Sequence, residues 1–251
     1  MQASRFEYRF RFALHALIYL LGFLSPWLLF GNVLNMEPRS TWLVLSSAIT
    51  RLGWLTFPGA VLALIGLALV LTGAAALLRV WGAAYVGSGV VRSASMHGEA
   101  LLADGPYRHT RNPLYLGTML HTIGISLLMP PSGAILAVVL LIVLNIRLAL
   151  AEEPFLRERF GEAYVQYCSK VPRFLPTPSP QVPSAGQRPH WGQAVLGELY
   201  FVGAFLTLAI FGWDFNASPL RRDLLICLGL AIVVRAFLPP APATDEAAIA
   251  P

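Results

Sequence analysis

The sequence has few charged side chains and very little cysteine or lysine. Only 12% of its 251 residues are charged, it has 2 cysteines, Cys168 and Cys227, and Lys170 is its single lysine. The shortage of charge nearly excludes a water-soluble domain, and so few cysteines exclude a disulfide-stapled scaffold. Because 56% of the residues are hydrophobic and the mean hydropathy is +0.63, disordered and collagen-like chains are excluded as well. A polytopic membrane protein remains.

Long apolar runs predict the fold class, an all-α bundle of about six transmembrane helices. A bilayer core of roughly 30 Å requires about 20 apolar residues in a helix. Six runs of this kind are present: 12–34, 55–78, 114–129, 133–151, 194–212 and 224–238. Residues 130–132, Pro-Pro-Ser, predict a tight hairpin between the third and fourth spans. The run 41–49 is too short to span and predicts an interfacial helix.

The distribution of basic residues predicts the orientation. If the N-terminus is cytoplasmic, 13 of the 18 Lys and Arg residues lie on the cytoplasmic side, as the positive-inside rule requires. We therefore expect both termini in the cytoplasm. The first apolar run is too long for a secretory signal, so we expect a retained helix. The positive charge is accounted for by loop orientation, and nucleic acid is not an expected partner.

The spans divide the chain into five parts. Residues 1–78 carry two N-terminal helices, 79–176 the core with two cytoplasmic segments, and 194–238 two C-terminal helices. Residues 177–193 are predicted to be a proline-rich linker and 239–251 a disordered tail. Most polar side chains lie in the cytoplasmic segments 79–113 and 152–193, so the functional site is expected there.

The first cytoplasmic segment ends at a helix start that is suited to anions. Asn112 is predicted as the N-cap and Pro113 as the first helical residue, after a turn at Gly105. Free backbone N–H groups at this start, flanked by Arg108 and Arg111, can bind a carboxylate or a phosphate. The alternative is that both arginines anchor the helix at lipid head groups.

An acidic pair at the end of the fourth apolar run is a second candidate. Glu152 and Glu153 are costly there unless something neutralises or uses them, although simple interfacial charge is the alternative. Asn145 shares a helical face with Glu152. Arg147 is expected to snorkel to the interface, and Pro154 is expected to break or bend the helix just after the acidic pair.

After the acidic pair the sequence predicts an amphipathic helix. Leu156, Phe160, Tyr164 and Tyr167 recur at spacings of four, four and three residues, which is one helical face. We expect this helix to lie over the cytoplasmic mouth of the bundle or along the membrane surface.

Other polar residues carry weaker signals. His121 shares a face with Gly117 and Gly124, so it is expected to bond a neighbouring helix at a close crossing. The spacing of histidines and cysteines predicts no metal site, and no serine lies in a nucleophile elbow.

Taken in order, several motifs resemble the isoprenylcysteine carboxyl methyltransferase family. They are Gly-Pro-Tyr-Arg at 105–108, Arg-Asn-Pro-Leu-Tyr at 111–115, the hairpin, the acidic pair, the aromatic pattern at 160–167 and Val-Pro-Arg at 171–173. The resemblance covers about residues 75–176. Members of this family are integral-membrane enzymes that use S-adenosylmethionine, and the wider superfamily includes phospholipid N-methyltransferases.

The resemblance implies a site for S-adenosylmethionine between the start of the third span and the helix that follows the fourth. It implies catalytic roles for Arg111, Glu152 and Glu153, with Glu152 favoured to face the cofactor because it shares a face with Asn145. The residues implied in cofactor binding are Gly105, Tyr107, Arg108, Asn112, Pro113, Tyr115, Glu152, Tyr164 and Tyr167.

Two features depart from the family. Many members have histidine where this chain has Asn112, so the role of that imidazole is not transferred. The two helices predicted at 194–238 extend past the end of the resemblance, and Glu198 near their start is an intramembrane charge with no assigned partner.

The expected function is methyl transfer from S-adenosylmethionine to a lipophilic small molecule or lipid, at the cytoplasmic face of a bacterial-type inner membrane. The acceptor group is left open among a prenylated cysteine carboxylate, a phospholipid amine and a thiol. A rival from another class is a non-enzymatic or reductase-like membrane protein with the same helical architecture.

Overall fold

The computed structural model describes residues 2–30, 39–86 and 104–237. In these ranges every regular element is helical: α1 (Arg5–Arg9), α2 (Arg11–Phe30), α3 (Thr41–Arg51), α4 (Phe57–Val86), a 3-10 helix (Gly105–Arg108), α5 (Pro113–Ser126), α6 (Pro131–Lys170), α7 (Trp191–Gly197), α8 (Leu199–Asp214) and α9 (Ala217–Phe237). The all-α fold class is therefore confirmed for the described residues. The predicted tail 239–251, part of the first cytoplasmic segment and the end of the first predicted span lie outside them.

The described helices confirm only part of the predicted set of membrane spans. Among the described helices, α4 and α6 are long and apolar enough to cross a membrane. The pair α7 and α8, bent by 68°, makes a third if it is one broken span. Helix α5 has 14 residues, which is fewer than a span needs. Within the described residues, six spans are therefore not confirmed.

Helix α4 is central and packs against α3, α5, α7 and α8. Two glycines let α5 approach it closely: a Cβ on Gly117 would lie 3.1 Å from the carbonyl oxygen of Ala75, and one on Gly124 would lie 3.2 Å from another α4 carbonyl. His121 is fully buried on α5, with Nε2 3.4 Å from the hydroxyl of Tyr200 on α8. The predicted close crossing is confirmed.

The predicted hairpin is present. Helices α5 and α6 are joined by residues 127–130 and pack against each other. Helix α3 is tied to this connection, because the N–H groups of Thr41 and Trp42 donate to the carbonyls of Met129 and Leu127, at 2.7 and 3.0 Å. The hairpin therefore fixes α3 against the bundle.

Helix α6 continues past the acidic pair, so of the break or bend predicted at Pro154 the break is wrong. Pro154 lies inside the helix, where its missing N–H removes one hydrogen bond without ending the helix. The break lies at Gly161, whose φ of 55° and ψ of −132° are accessible to glycine without strain. The part before the break, residues 131–160, is roughly 45 Å long at about 1.5 Å per residue, so it extends beyond a bilayer core of roughly 30 Å.

The amphipathic pattern after the acidic pair is confirmed. Tyr164 and Tyr167 are buried with Val171, and Leu156 and Phe160 pack against the same cluster. The apolar face predicted from the spacing is therefore retained on both sides of the break at Gly161.

A buried ion pair connects α4 to the C-terminal helices. The first cytoplasmic segment was expected to begin at residue 79, but α4 continues to its end at Val86 and contains Arg79. The Arg79 guanidinium donates two hydrogen bonds to the Glu198 carboxylate, at 2.5 and 3.0 Å, and a third to the Thr118 hydroxyl at 2.7 Å. Arg79 therefore lies in the helical bundle and not in the cytoplasmic segment where it was expected. It is also the partner of Glu198, for which the sequence offered none.

The proline-rich segment expected as a linker packs against the residues before α5. The N–H of Gln181 donates to the carbonyl of Arg108 at 2.8 Å. The Asp104 carboxylate accepts hydrogen bonds from the hydroxyl of Ser184 and the N–H of Gln187. Burial of Asp104 opposes ionisation, but these hydrogen bonds prevail and lower the pKa of its carboxyl. The segment therefore holds the start of α5 in place.

Candidate active site

A cavity of about 740 Å³ collects most of the polar side chains that the sequence singled out. Its volume is within the range of roughly 300–1,000 Å³ that is usual for small-molecule sites. The polar part lies where the start of α5 meets the second half of α6, and α2 and α9 supply a largely apolar part. The predicted site residues that line it are Tyr107, Arg111, Asn112, Tyr115, Glu152, Glu153, Tyr164 and Tyr167.

Glu152 presents a carboxylate to the polar part of the cavity. Its Oε1 accepts one hydrogen bond from the Tyr115 hydroxyl, at 2.7 Å, and one from the Tyr8 hydroxyl, at 2.9 Å. Asn145, on the same face of α6, also lines the cavity. A carboxylate in apolar surroundings is costly unless donors compensate it, and the two phenols offset part of this cost.

Its neighbour Glu153 is neutralised by two arginines. Arg173 donates from Nε and Nη2 to the two carboxylate oxygens, at 2.7 and 2.8 Å, and Arg111 donates from Nη1 at 3.0 Å. Hydrogen bonding to Glu153 raises the pKa of Arg173 above its ordinary value. The two adjacent carboxylates therefore differ in kind, because Glu153 belongs to an ion triad and Glu152 is held by neutral hydroxyls.

Arg111 links this triad to the cavity. Besides its ion pair, its Nη1 lies 2.9 Å from the Sγ of Cys168. Its Nε is buried and has no hydrogen-bond partner within the described ranges. Buried N–H groups normally have an acceptor, so this donor is an unmet hydrogen bond in the cavity wall.

The start of α5 is built differently from the prediction. Asn112 does precede the helix and Pro113 is its first residue, but the Asn112 side chain makes no capping hydrogen bond. Its Nδ2 instead donates to the carbonyl of Arg173 at 3.1 Å, beside the bond from the N–H of Arg111 to the carbonyl of Pro172 at 2.9 Å. Side-chain capping by Asn112 is therefore wrong, because its amide is used to hold the loop that follows α6.

Tyrosines cover the polar part of the cavity. The Tyr167 hydroxyl donates to the carbonyl of Tyr107 at 2.7 Å, which joins α6 to the 3-10 helix. Burial raises the pKa of the Tyr107 hydroxyl well above its ordinary value, so this phenol is neutral. With Tyr164 and Tyr115, these rings offer π-faces that attract a cation.

Three of the predicted cofactor-binding residues do not line the cavity. Arg108 donates from Nε to the carbonyl of Val182 at 2.8 Å. Gly105 has a φ of 54°, and a Cβ at this position would collide with the ring of Tyr85. Pro113 is buried at the start of α5. These residues shape the turn that leads into α5.

Four polar residues of the N-terminal helices line the cavity and were missed in the sequence. They are Tyr8, Arg11, His15 and Tyr19. Their spacings of three, four and four residues place them on one helical face. Tyr8 bonds Glu152, the Nε2 of His15 lies 3.3 Å from Oδ1 of Asn145, and the Tyr19 hydroxyl lies 2.8 Å from that of Thr122. The sequence signal that identifies them is a row of polar side chains at helical spacing within an apolar run.

Arg147, which the sequence predicts to snorkel to the interface, forms an ion pair with Glu7. Its Nε and Nη2 donate to the Glu7 carboxylate, at 3.0 and 2.8 Å, and its carbonyl accepts from the N–H of Ala3. Glu7 also forms a capping box with Ser4 at the start of α1. The hydrogen bond from Arg147 lowers the pKa of Glu7 from 4.5 to about 2. Helix α1 is therefore fastened to α6, the helix that carries Glu152.

Comparison with known proteins supports the resemblance seen in the sequence. Residues 54–163 match the family model described as phospholipid methyltransferase. Among curated proteins and among solved structures, nothing matches the chain. The matched segment runs from just before α4 into the second half of α6, and it contains Arg111, Asn112, Tyr115 and both carboxylates. Over residues 54–163, which are less than half of the chain, the sequence is therefore similar to the phospholipid methyltransferases, membrane enzymes related to the isoprenylcysteine carboxyl methyltransferases.

Proposed function

We propose that this protein transfers a methyl group from S-adenosylmethionine to a lipophilic acceptor at the cytoplasmic face of a membrane. The observation that carries the proposal is Glu152, a carboxylate in the wall of a largely apolar cavity whose hydrogen-bond donors are the phenols of Tyr8 and Tyr115. A negative charge in such a site attracts a cation, and S-adenosylmethionine is cationic at its sulfonium and at its ammonium group.

The remaining side chains around the polar part fit the rest of this cofactor. The buried Nε of Arg111 suits the carboxylate of the methionine moiety. The rings of Tyr107, Tyr164 and Tyr167 suit adenine or the sulfonium. Each charged or aromatic part of the cofactor therefore has a chemically matched partner in the same cavity.

The chain contributes by orientation and by exclusion of water. S-adenosylmethionine supplies an electrophilic methyl group on a positively charged sulfur, and its transfer requires no metal. Holding donor and acceptor in line within a cavity of low polarity lowers the barrier to methyl transfer. The entropy cost of orienting the two molecules is met on binding, and bulk water is displaced. A carboxylate acceptor needs no base, whereas an amine or a thiol must first lose a proton.

The apolar part of the cavity supports a lipophilic acceptor. Leu20 and Phe23 of α2 and Leu225 and Ile232 of α9 line the cavity, yet they are 40–69% exposed on the surface of the bundle. Residues that face both the cavity and the surface mark a lateral opening. In a bilayer such an opening faces the acyl chains, so an acceptor with an apolar tail can enter from the membrane.

The orientation is part of the same proposal, with both termini in the cytoplasm and the protein in an inner membrane of bacterial type. The positive-inside distribution of the sequence supports it. Arg111 lines the polar part of the cavity and Arg173 pairs with Glu153 at its wall, which adds positive charge on the side where the cofactor is available.

Calorimetry on the detergent-purified protein tests the proposal without knowledge of the acceptor. We expect saturable binding of S-adenosylhomocysteine at one site per chain. Adenosine, which lacks the amino-acid moiety, should bind more weakly, and NADPH should not compete. Absence of S-adenosylhomocysteine binding would refute the proposal, and binding of NADPH alone would favour the reductase-like rival.

A further inference from the structure

We propose that Tyr8 is a positioning residue of the cofactor site, whose hydroxyl holds the Glu152 carboxylate toward the cationic part of the bound nucleotide. Tyr8 lies outside the segment 54–163 that matches the family. The inference rests on the proposed function and assigns part of the site to the N-terminal helices.

Two phenols from different elements bind the same atom of Glu152. Tyr8 comes from α1 and Tyr115 from the first turn of α5, and both donate to Oε1. Two donors on one oxygen restrict rotation of the carboxylate more than one donor does, and they leave the other oxygen for a ligand. The pair of hydroxyls therefore defines the direction in which the charge of Glu152 is presented.

The ring of Tyr8 is itself immobilised. Its side chain is only 8% exposed and packs with Leu141, Leu144 and Leu148 of α6. The guanidinium of Arg11 lies 4.5 Å from the centre of the ring. A packed ring has few alternative rotamers, so its hydroxyl is held at a fixed place in the cavity.

The backbone that carries Tyr8 is anchored beside the same carboxylate. Glu7 pairs with Arg147 through two hydrogen bonds, and the N–H of Ala3 donates to the carbonyl of Arg147. Arg147 lies on α6, about one and a half turns before Glu152. Helix α1 is therefore held in position by α6, the helix that carries Glu152. This attachment keeps the hydroxyl of Tyr8 within hydrogen-bonding distance of Glu152.

Loss of the Tyr8 hydroxyl should weaken the binding of ligands that carry a cation. Without this donor the Glu152 carboxylate is less well stabilised in its apolar surroundings and turns more freely. A neutral ligand gains little from the charge of Glu152, so its affinity should change little. The ratio of the two affinities therefore reports on positioning, whereas a general loss of structure would lower both.

The test compares S-adenosylhomocysteine, which carries an ammonium group, with neutral methylthioadenosine on the full chain. In Tyr8→Phe we expect an affinity loss of about tenfold for the first ligand and less than about twofold for the second. Tyr115→Phe should behave in the same way. Tyr85→Phe is the matched control, because Tyr85 is absent from the cavity wall and contacts Gly105.

An infrared measurement without ligand tests the contact itself. The carboxylate band that disappears in Glu152→Gln identifies Glu152, and we expect this band to shift in Tyr8→Phe but not in Tyr85→Phe. If Tyr8→Phe fails to fold, Glu7→Gln, which loosens α1 away from the cavity, should give a smaller shift of the same sign.

The two proposals fail in different ways. If the wild-type protein binds neither nucleotide, the proposed function fails, and the role of Tyr8 toward a cofactor fails with it. If the wild type binds both but Tyr8→Phe leaves the affinity ratio and the infrared band unchanged, Tyr8 only stabilises the fold, and this inference alone is overturned.

Discussion

The guanidinium of Arg79 and the carboxylate of Glu198 are joined by two hydrogen bonds in the interior of the helical bundle. Their side chains are 8% and 1% exposed, and the guanidinium lies 4.1 Å from the centre of the Phe201 ring. Arg79 belongs to the segment that matches the family, whereas Glu198 and Phe201 belong to the C-terminal helices. Because Arg79 and Phe201 both line the cavity, these helices form part of its wall.

The first prediction concerns this ion pair. Arg79→Met or Glu198→Leu alone leaves a buried charge without its partner, so each should lower the free energy of unfolding by about 3–5 kcal/mol. The double variant should lose less than either single variant, because no unpaired charge remains. Denaturant unfolding followed by circular dichroism in detergent measures this. Asp223→Asn, in the exposed pair with Arg222, is the control and should change stability by less than about 1 kcal/mol.

The second prediction separates the two adjacent carboxylates. Glu152→Gln should lower the affinity for S-adenosylhomocysteine about tenfold or more with little change in thermal midpoint, since it removes the charge presented to the cavity. Glu153→Gln should mainly lower the thermal midpoint, because Arg111 and Arg173 lose their shared partner. Calorimetry and thermal unfolding on both variants measure the two effects. Equal losses of affinity would contradict the distinction.

Local patterns in the sequence predicted several features that the structure contains. The glycines at 117 and 124 indicated the close helix crossing, and the aromatic spacing at 156–167 indicated the buried face of α6. Both depend on residues of one helix, where the period of 3.6 residues relates sequence to position. The polar stripe of Tyr8, Arg11, His15 and Tyr19 has the same kind of period and was predictable by the same argument.

Partners from distant parts of the chain were not predictable. Glu198 bonds a residue 119 positions away, Arg147 a residue 140 positions away, and Asn112 one 61 positions away. The position of Asn112 before a helix favoured capping, which is the usual role of asparagine there. Tertiary packing instead gave its amide the carbonyl of Arg173, which the sequence does not reveal. The break at Gly161 was missed because a proline was nearby and is the stronger sequence signal.

The third prediction tests the role of the Asn112 side chain. If its amide holds the loop after α6, Asn112→Ser should destabilise as much as Asn112→Ala, by about 1 kcal/mol, because the shorter side chain cannot donate to the carbonyl of Arg173. A capping role predicts instead that serine is nearly silent. Thermal midpoints and S-adenosylhomocysteine affinities of both variants and of Asn112→His decide between them. A stable serine variant would restore the capping interpretation.

The fourth prediction concerns acid stability and the ion pair between Glu7 and Arg147. Hydrogen bonding from Arg147 lowers the pKa of Glu7 in the folded protein from 4.5 to about 2. A group whose folded pKa is depressed contributes stability that is fully present above the unfolded pKa and is lost as the pH falls through the folded pKa. The wild type should therefore be more stable than Glu7→Gln at pH 7. This advantage should shrink below a pH of about 4.5 and be nearly gone at about 2.

Thermal midpoints of the wild type and Glu7→Gln, measured from pH 7 downward in the same detergent, test this dependence. Glu158→Gln is the matched control, because Glu158 is exposed on α6 and its substitution should give a difference that is small at every pH. Since α1 carries Tyr8, loosening this ion pair by acid should also weaken S-adenosylhomocysteine binding over the same pH range, and more in the wild type than in Glu7→Gln. A stability difference between wild type and Glu7→Gln that does not vary with pH would show that the carboxylate contributes by packing and not by its charge.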